Sequence, residues 1–151
     1  MVWRSDPAEA IERAYARIER ERFVGSAVAH PALRIEAVDV QPWHGHWLGA
    51  LVTPWSLALL LLPGPGAPWR MPRGNARLPV RFPVGDIAFL GNEDVDLGEY
   101  LSAALFADMR IFASQADAVR AARDAIGALW APVEPPPRRA QASRRSFLGL
   151  R

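Results

Sequence analysis

The sequence predicts a single α+β domain, an antiparallel β-sheet packed by an N-terminal and a C-terminal helix and followed by a flexible tail. Three observations support this fold class: amphipathic helical patterns at both ends of the domain, short apolar runs separated by turn residues between them, and a proline- and arginine-rich end. The order helix, strands, helix favours both helices on one side of the sheet. We assign residues 1–131 to the globular domain and residues 132–151 to the tail.

The amino-acid composition excludes several classes of function. Half of the 151 residues are hydrophobic, which is enough for one ordinary core, and there is no cysteine for disulfides, iron-sulfur clusters or thiolate zinc. A formal net charge of +2 gives no nucleic-acid footprint. Residues 1–22 are charged and lack the apolar core of a secretory signal, and the apolar run 48–62 is too short and interrupted for a membrane span. We therefore expect a cytoplasmic protein.

The N-terminal helix has clear start and stop signals. Asp6 is a favourable N-cap, Pro7 suits the first helical position, and Glu9 completes a capping box. The helix is expected to end before Gly25. Its apolar face consists of Ile11, Tyr15 and Ile18.

Strand patterns follow the first helix. Residues 33–40 have partial alternation, and Gln41-Pro42 is expected to end this strand. Residues 47–52 and 56–62 are two apolar segments that predict a buried hairpin, because Thr53-Pro54-Trp55 between them is suited to a turn.

Two further strands are predicted after the loop 63–75, at residues 77–82 and 86–90. Pro79 places the first of these at an edge of the sheet, because proline has no N–H for a ladder. The last helix should start at Ser114 as N-cap, with Asp117 three residues later, and stop at Pro132. Its apolar stripe consists of Val119, Ala122, Ile126 and Leu129.

Catalytic and metal-binding patterns are weak. His44 and His46 flank Gly45 and would point the same way if extended, but two imidazoles without a third ligand indicate packing or surface histidines more than a metal site. The acidic residues Glu93, Asp94, Asp96 and Glu99 lack calcium-loop spacing and are expected to be solvated. No serine lies in a nucleophile motif. We predict no enzymatic activity and no cofactor.

Tryptophans and prolines are the candidate binding residues. Trp55 in a turn and Trp69 in a Pro/Gly loop are expected to reach the surface, where tryptophan is enriched in interface hot spots, whereas Trp47 on a strand is expected in the core. Pro63-Gly64-Pro65 predicts a rigid exposed turn, because two missing N–H groups argue against a phosphate loop.

Several motifs resemble the HybE/HupJ family of [NiFe]-hydrogenase assembly chaperones. The family's G-x-W-x-G, T-P-W and P-G-P elements correspond to residues 45–49, 53–55 and 63–65, with further matches at 30–33, Trp69, 83–85 and 98–100. The resemblance covers most of the chain. Where family members often have a serine-cysteine-serine stretch, this chain has Ser102-Ala103-Ala104, so a thiol has no role there.

The resemblance implies a non-enzymatic chaperone that binds immature subunits of an uptake [NiFe] hydrogenase and coordinates maturation with twin-arginine export. The expected partners are the small-subunit precursor with its twin-arginine signal and, as a second candidate, the large subunit. Tyr100, in the family's G-x-Y motif, joins the candidate binding residues. The alternative is an accessory protein that assists iron-sulfur or metal cofactor handling in the small subunit.

A second motif lies in the tail. Residues 143–148, Ser-Arg-Arg-Ser-Phe-Leu, match a twin-arginine signal, but only three residues follow, so they cannot direct export. A solvated basic tail is the simpler reading. Together with the family resemblance, the motif suggests that Arg144 and Arg145 mimic the partner's signal and compete for its binding surface.

Overall fold

The computed structural model describes residues 1–132, so Arg144, Arg145 and nearly all of the predicted tail lie outside the described residues. It confirms the antiparallel α+β fold. The helices are α1 (Ala8–Ile18), which continues into a π-helical turn (Glu19–Phe23), and α2 (Gln115–Ala128), with a short 3-10 turn (Met109–Ile111) before it. The strands are β1 (Glu36–Trp43), β2 (His46–Val52), β3 (Leu57–Leu62), β4 (Leu78–Phe82), β5 (Gly85–Asp94) and β6 (Gly98–Phe106).

The six strands form one antiparallel sheet in the order β1-β2-β3-β6-β5-β4. The first half of β5 pairs with β4, and its second half, from Leu90 onward, pairs with β6. This change of partner lets the sheet curl. As a result, the two edge strands approach each other at one end. The rings of Trp43, at the end of β1, and Phe82, at the end of β4, have centroids 4.8 Å apart.

The two helices lie on opposite faces of the sheet, so the prediction of a one-sided arrangement is wrong. Alternate residues of β2 face different helices: Leu51 belongs to the cluster of Ile11 in α1, whereas Leu48 and Ala50 belong to the cluster of Ala122 in α2. Strands β2 and β3 are buried on both faces and therefore consist of near-continuous apolar runs instead of alternating ones. The continuous apolar runs of β2 and β3 were therefore the feature of the sequence that indicated a helix on each face of the sheet.

The observed strand boundaries differ from the predicted ones at several places, and β1 begins at Glu36 instead of Leu33. Strand β1 does not stop at Pro42 but continues to Trp43, past a register shift between Val38 and Gln41 at which Asp39 has φ +52°. Strand β5 extends to Asp94. Strand β6, which the sequence did not predict as a strand, lies centrally between β3 and β5. Its sequence contains none of the β-branched residues Val, Ile and Thr by which strands are commonly recognised.

The predictions of the edge strand and of the helix N-caps agree with the structure better than the predicted strand boundaries do. Pro79 lies on β4, an edge strand, as predicted. Ser114 caps α2, since its hydroxyl accepts a hydrogen bond from the Asp117 N–H at 3.2 Å. Helix α1 starts at Ala8, whose N–H donates to the Asp6 carboxylate at 2.8 Å, but within residues 1–132 no return bond from Glu9 closes a capping box. In the same residues, no helix has the length and apolar character that a membrane span requires.

Candidate functional site

The candidate site begins at the turn between β1 and β2. His44 and Gly45 both have positive φ, +50° and +82°, and Trp43 pairs with His46 across them, which is the geometry of a two-residue type I′ hairpin. The turn therefore separates the histidines. His44 is exposed and its ring lies against Trp43, whereas His46 points into the fold. The predicted same-side arrangement required an extended segment, and this segment is instead a turn, so the two side chains diverge.

His46 holds the loop that follows β3. Its Nδ1 accepts a hydrogen bond from the Gly64 N–H at 3.0 Å, which requires the ring proton to be on Nε2, and Nε2 donates to the Pro68 carbonyl at 2.9 Å. Both nitrogens are thus used within the fold. Across residues 1–132, no group of three or more His, Cys, Asp or Glu side chains converges to hold a metal ion.

The loop 63–69 packs closely on the β1–β2 turn. Pro63 and Gly64 are buried, and a β-carbon built on Gly64 would lie 2.0 Å from the Gly45 carbonyl oxygen. Pro65 and Gly66 are exposed. The prediction of an exposed turn is therefore correct for Pro65 and wrong for Pro63 and Gly64, because the loop folds back against the hairpin before it reaches solvent.

Beneath this loop lies an apolar cavity that we call the tryptophan cleft. It has a volume of about 230 Å³. Half-buried Trp69 lines it, held at a ring-centroid distance of 5.2 Å from His46. The indole N–H groups of Trp43 and Trp69 are buried and have no acceptor within residues 1–132. The other apolar side chains that line the cleft are Trp43, Leu61, Pro68, Leu78, Val80 and Leu101.

Trp55 lies at the opposite end of the sheet. It is half-buried in the β2–β3 turn and stacks on Phe23, with ring centroids 4.1 Å apart and planes 4° from parallel. Strand β3 separates this turn from the loop 63–69, and its six residues span about 20 Å. Trp55 and Trp69 therefore cannot form one continuous binding patch.

Tyr100 is in the core. It is 4 % exposed and lies beneath α1, where its hydroxyl is 2.8 Å from the hydroxyl of Tyr15. Its side chain is therefore not on the surface of this structure, because residue 100 of β6 faces α1, and a role for Tyr100 in partner binding stays a prediction. Burial raises the pKa of both tyrosines above the ordinary value of 10.0.

The acidic residues of the β5–β6 hairpin have two different environments. Arg17 of α1 forms ion pairs with Asp94 and with Asp96. Burial by itself would raise the pKa of Asp94, but hydrogen bonds from Arg17 and from the backbone N–H groups of Asp96 and Leu97 outweigh it, and the pKa lies below 3.8. The expectation of a fully solvated stretch is thus wrong for Asp94.

Glu93 and Glu99 do match that expectation of exposure. They are direct cross-strand partners, both exposed, and neither has an ion-pair partner within residues 1–132. Two like charges in this position are mutually destabilising. The pair lies on the same face of the sheet as Leu101 of the tryptophan cleft, because alternate strand residues share a face.

Sequence reasoning missed the roles of Trp43, Gly45 and His46 in this site. The sequence did contain a signal for the turn, since His44-Gly45 lies between two strand patterns and type I′ turns favour glycine at the second central position. The bonds from His46 to the loop had no local signal, because they join residues about 20 positions apart in the chain.

Comparisons with known proteins agree with this fold. A family model described as "[NiFe]-hydrogenase assembly, chaperone, HybE" matches residues 6–150. The chain is 37 % identical over 140 residues to the hydrogenase expression/formation protein HupT of Azotobacter chroococcum mcd 1, covering 92 % of this chain and 91 % of HupT. It is 34 % identical over 144 residues to HoxT, a hydrogenase expression/formation protein of Azotobacter vinelandii, covering 95 % and 90 %.

One solved structure also matches. The solution structure of HybE from Escherichia coli superposes with a TM-score of 0.69 at 23 % identity, covering 91 % of this chain and 87 % of that one. At this level of identity the match supports the fold.

Proposed function

The chain belongs to the HybE family of [NiFe]-hydrogenase assembly chaperones, and we propose that it binds immature subunits of an uptake [NiFe] hydrogenase without catalysing a reaction. The proposed first partner is the small-subunit precursor with its twin-arginine signal, and the large subunit is the second. The relatives carry hydrogenase-formation names, which supports an assembly role. We place this work in the cytoplasm, before twin-arginine export.

The observation that carries this proposal is the tryptophan cleft with its fixed loop. An apolar cavity beside a half-exposed tryptophan suits an aromatic or aliphatic side chain of a partner, since such pockets take interface hot spots. His46 holds both ends of the loop, so Trp69 and Pro65 are positioned before a partner arrives. Preorganisation of this kind reduces the entropy lost on binding.

Trp55 is proposed as a separate contact. Its stack on Phe23 holds it in a half-buried position at the other end of the sheet, about 20 Å from the loop 63–69. Two contacts this far apart would engage a partner over a wide surface or engage two different chains. The two tryptophans can therefore be tested independently.

A chaperone must prefer the immature partner over the mature one, because a ligand with equal affinity for both states shifts neither. A preference of about 1.4 kcal/mol would change occupancy tenfold. Burying an apolar segment that the mature enzyme hides would supply a difference of this size, because each buried methylene contributes about 0.8 kcal/mol.

The test is an affinity pull-down of the tagged protein from its own cells while hydrogenase is being made, with mass spectrometry of the captured chains. The unmodified protein should recover small-subunit precursor. Trp69→Ala should lower that recovery strongly, and Gly66→Ala, in an open part of the same loop, should not. If Trp55→Ala lowers recovery of the same small-subunit precursor, the second contact binds the same partner chain. Recovery of no hydrogenase subunit by the unmodified protein would refute the proposed function.

Arg144 and Arg145 enter the proposal through the sequence alone, since they lie outside the described residues. We propose that they imitate the partner's twin-arginine segment and compete with it. If removing both arginines leaves signal-peptide binding and the timing of hydrogenase export unchanged, the imitation hypothesis fails.

A further inference from the structure

Charge is distributed unevenly between the described fold and the rest of the chain. Residues 1–132 contain 13 arginines and 15 acidic residues, whereas residues 133–151 contain five arginines and one glutamate. The fold is therefore slightly acidic and the following segment strongly basic. Opposite net charges on two parts of one chain favour contact between them, and tethering raises their effective concentration.

The exposed pair of Glu93 and Glu99 is the most suitable acidic contact on the fold. Asp94 and Asp96 already bind Arg17, but Glu93 and Glu99 face each other across β5 and β6, with no cation paired to them in residues 1–132. A pair of arginines placed here would remove a like-charge repulsion, and guanidinium groups match carboxylates in bidentate geometry.

This acidic pair adjoins the tryptophan cleft. Leu101 lines the cleft and lies two residues from Glu99 on the same face of β6, a separation of about 7 Å along the strand. Gly91 is the partner of Leu101 on β5, and the loop residues Met71 and Pro72 pack over it. A ligand that fills the cleft can thus reach Glu99 with a group two residues away in an extended segment.

The chain also leaves the fold close to this site. Beyond α2, Trp130 packs against Phe82 with ring centroids 6.4 Å apart, and Phe82 packs against Trp43, a wall of the cleft. The backbone N–H of Val84 donates to the Leu129 carbonyl at 3.1 Å, which ties this corner to β4. Phe147 lies fifteen positions after Pro132, a distance of up to about 50 Å when the chain is extended.

We propose that residues 144–148 of this chain, Arg-Arg-Ser-Phe-Leu, dock on the tryptophan cleft and must be displaced by a partner. Phe147 fills the apolar cleft, and Arg145, two residues before it, contacts Glu99 and Glu93. The two-residue spacing on the segment equals the spacing of Leu101 and Glu99 on β6. The proposal rests on the proposed function in one respect, since it assigns a regulatory role to the same binding site.

Arg70 also lines the cleft. It is exposed and carries the same charge as the segment. Arg70 therefore disfavours the arginine pair next to itself, whereas Glu93 and Glu99 attract the pair. The buried N–H groups of Trp43 and Trp69 supply donors, and the serine hydroxyl and backbone carbonyls of the docked segment are suitable acceptors.

The test uses the absence of cysteine from the chain. Ser143→Cys introduces a unique thiol next to the segment, to which a nitroxide is attached, and broadening of the six tryptophan indole resonances is measured in the full-length protein. The signals of Trp43 and Trp69 should broaden much more than that of Trp55, which lies at the far end of β3. Glu93→Arg with Glu99→Arg should remove the difference, and adding Arg144→Glu with Arg145→Glu should restore it.

The proposal would be overturned by equal broadening at Trp55 and Trp69, by no effect of reversing the two glutamates, or by no restoration in the doubly reversed variant. Broadening in a mixture of isotope-labelled and spin-labelled chains would assign the contact to a second copy and also overturn it. None of these measurements contains a hydrogenase subunit. Failure here is therefore distinguishable from failure of the pull-down, which tests the chaperone function itself.

Discussion

The α-carbon of Gly64 lies so close to the β1–β2 turn that an added β-carbon would be 2.0 Å from the carbonyl oxygen of Gly45. Only glycine fits at this position without displacing backbone. Gly45 is also tightly packed, since a β-carbon there would lie 2.7 Å from the β-carbon of Ala67 in the same loop. The close contact at Gly64 also fixes the start of the loop that carries Pro65 and Trp69.

Gly64→Ala should destabilise the protein by about 1–3 kcal/mol, because the loop or the hairpin must move to make room. Gly66→Ala is the matched control in the same loop. A β-carbon there meets nothing within 4 Å, so its free energy of unfolding should change by no more than about 0.5 kcal/mol. Urea unfolding of both variants measures the difference, and equal stabilities would contradict the close packing.

His46→Phe should cost about 1–3 kcal/mol, because phenylalanine keeps the ring but leaves the buried Gly64 N–H without an acceptor. His44→Asn serves as control, since asparagine readily adopts the positive φ of this turn position. Thermal unfolding separates the two. If His46→Phe unfolds at the same temperature as the unmodified protein, the hydrogen bonds to the loop contribute nothing to stability.

Asp94→Asn should reduce the loss of stability on acidification. The pKa of Asp94 is below 3.8 in the folded state, so its contribution to stability is present above the unfolded-state pKa and is lost as the pH falls through the folded-state pKa. The variant should be less stable than the unmodified protein at pH 6, and the two should converge as the pH falls below the folded-state pKa of Asp94.

Asp86→Asn is the comparison for this experiment, because Asp86 pairs with Arg81 in an exposed position. Exposed ion pairs contribute about 0–1 kcal/mol. Denaturant titrations at several pH values give the free energies of unfolding. Parallel pH curves for Asp94→Asn and the unmodified protein would argue against a specific role for the Arg17–Asp94 pair.

Unfolding at alkaline pH should be detectable through ionisation of the tyrosine hydroxyls. The chain has only two, Tyr15 and Tyr100, and both belong to the buried hydroxyl pair. Because burial raises their pKa in the folded state, the stability they contribute is present below the unfolded-state pKa near 10 and is lost as the pH rises above it. Tyrosinate absorbance should therefore appear together with unfolding, and absorbance that precedes unfolding would contradict the buried pair.

Tyr100→Phe should lower stability by about 1 kcal/mol through loss of the hydroxyl pair and leave partner recovery in the pull-down unchanged. Trp69→Ala should show the opposite pattern, a larger loss of recovery than of stability. Comparing thermal unfolding with recovery for the two variants distinguishes a core residue from a contact residue. Loss of recovery in Tyr100→Phe at unchanged stability would return Tyr100 to the binding surface.

Local patterns determined much of this fold. The cap at Ser114, the hairpin turn at residues 53–55 and the edge position of Pro79 were predictable, because each depends on the backbone properties of a few neighbouring residues. The family resemblance was likewise readable from short motifs at fixed spacing. The prediction of an α+β domain followed from the order of these elements.

Tertiary structure alone decided which residues form the site. The burial of Tyr100 beneath α1, the insertion of β6 between β3 and β5, and the separation of Trp55 from Trp69 all depend on which strands pair. The pairing of β3 with β6 joins strands far apart in sequence, and no local turn encodes it. The hydrogen bonds from His46 to Gly64 and Pro68 were likewise not predictable, because these residues meet only after β2 and β3 have paired.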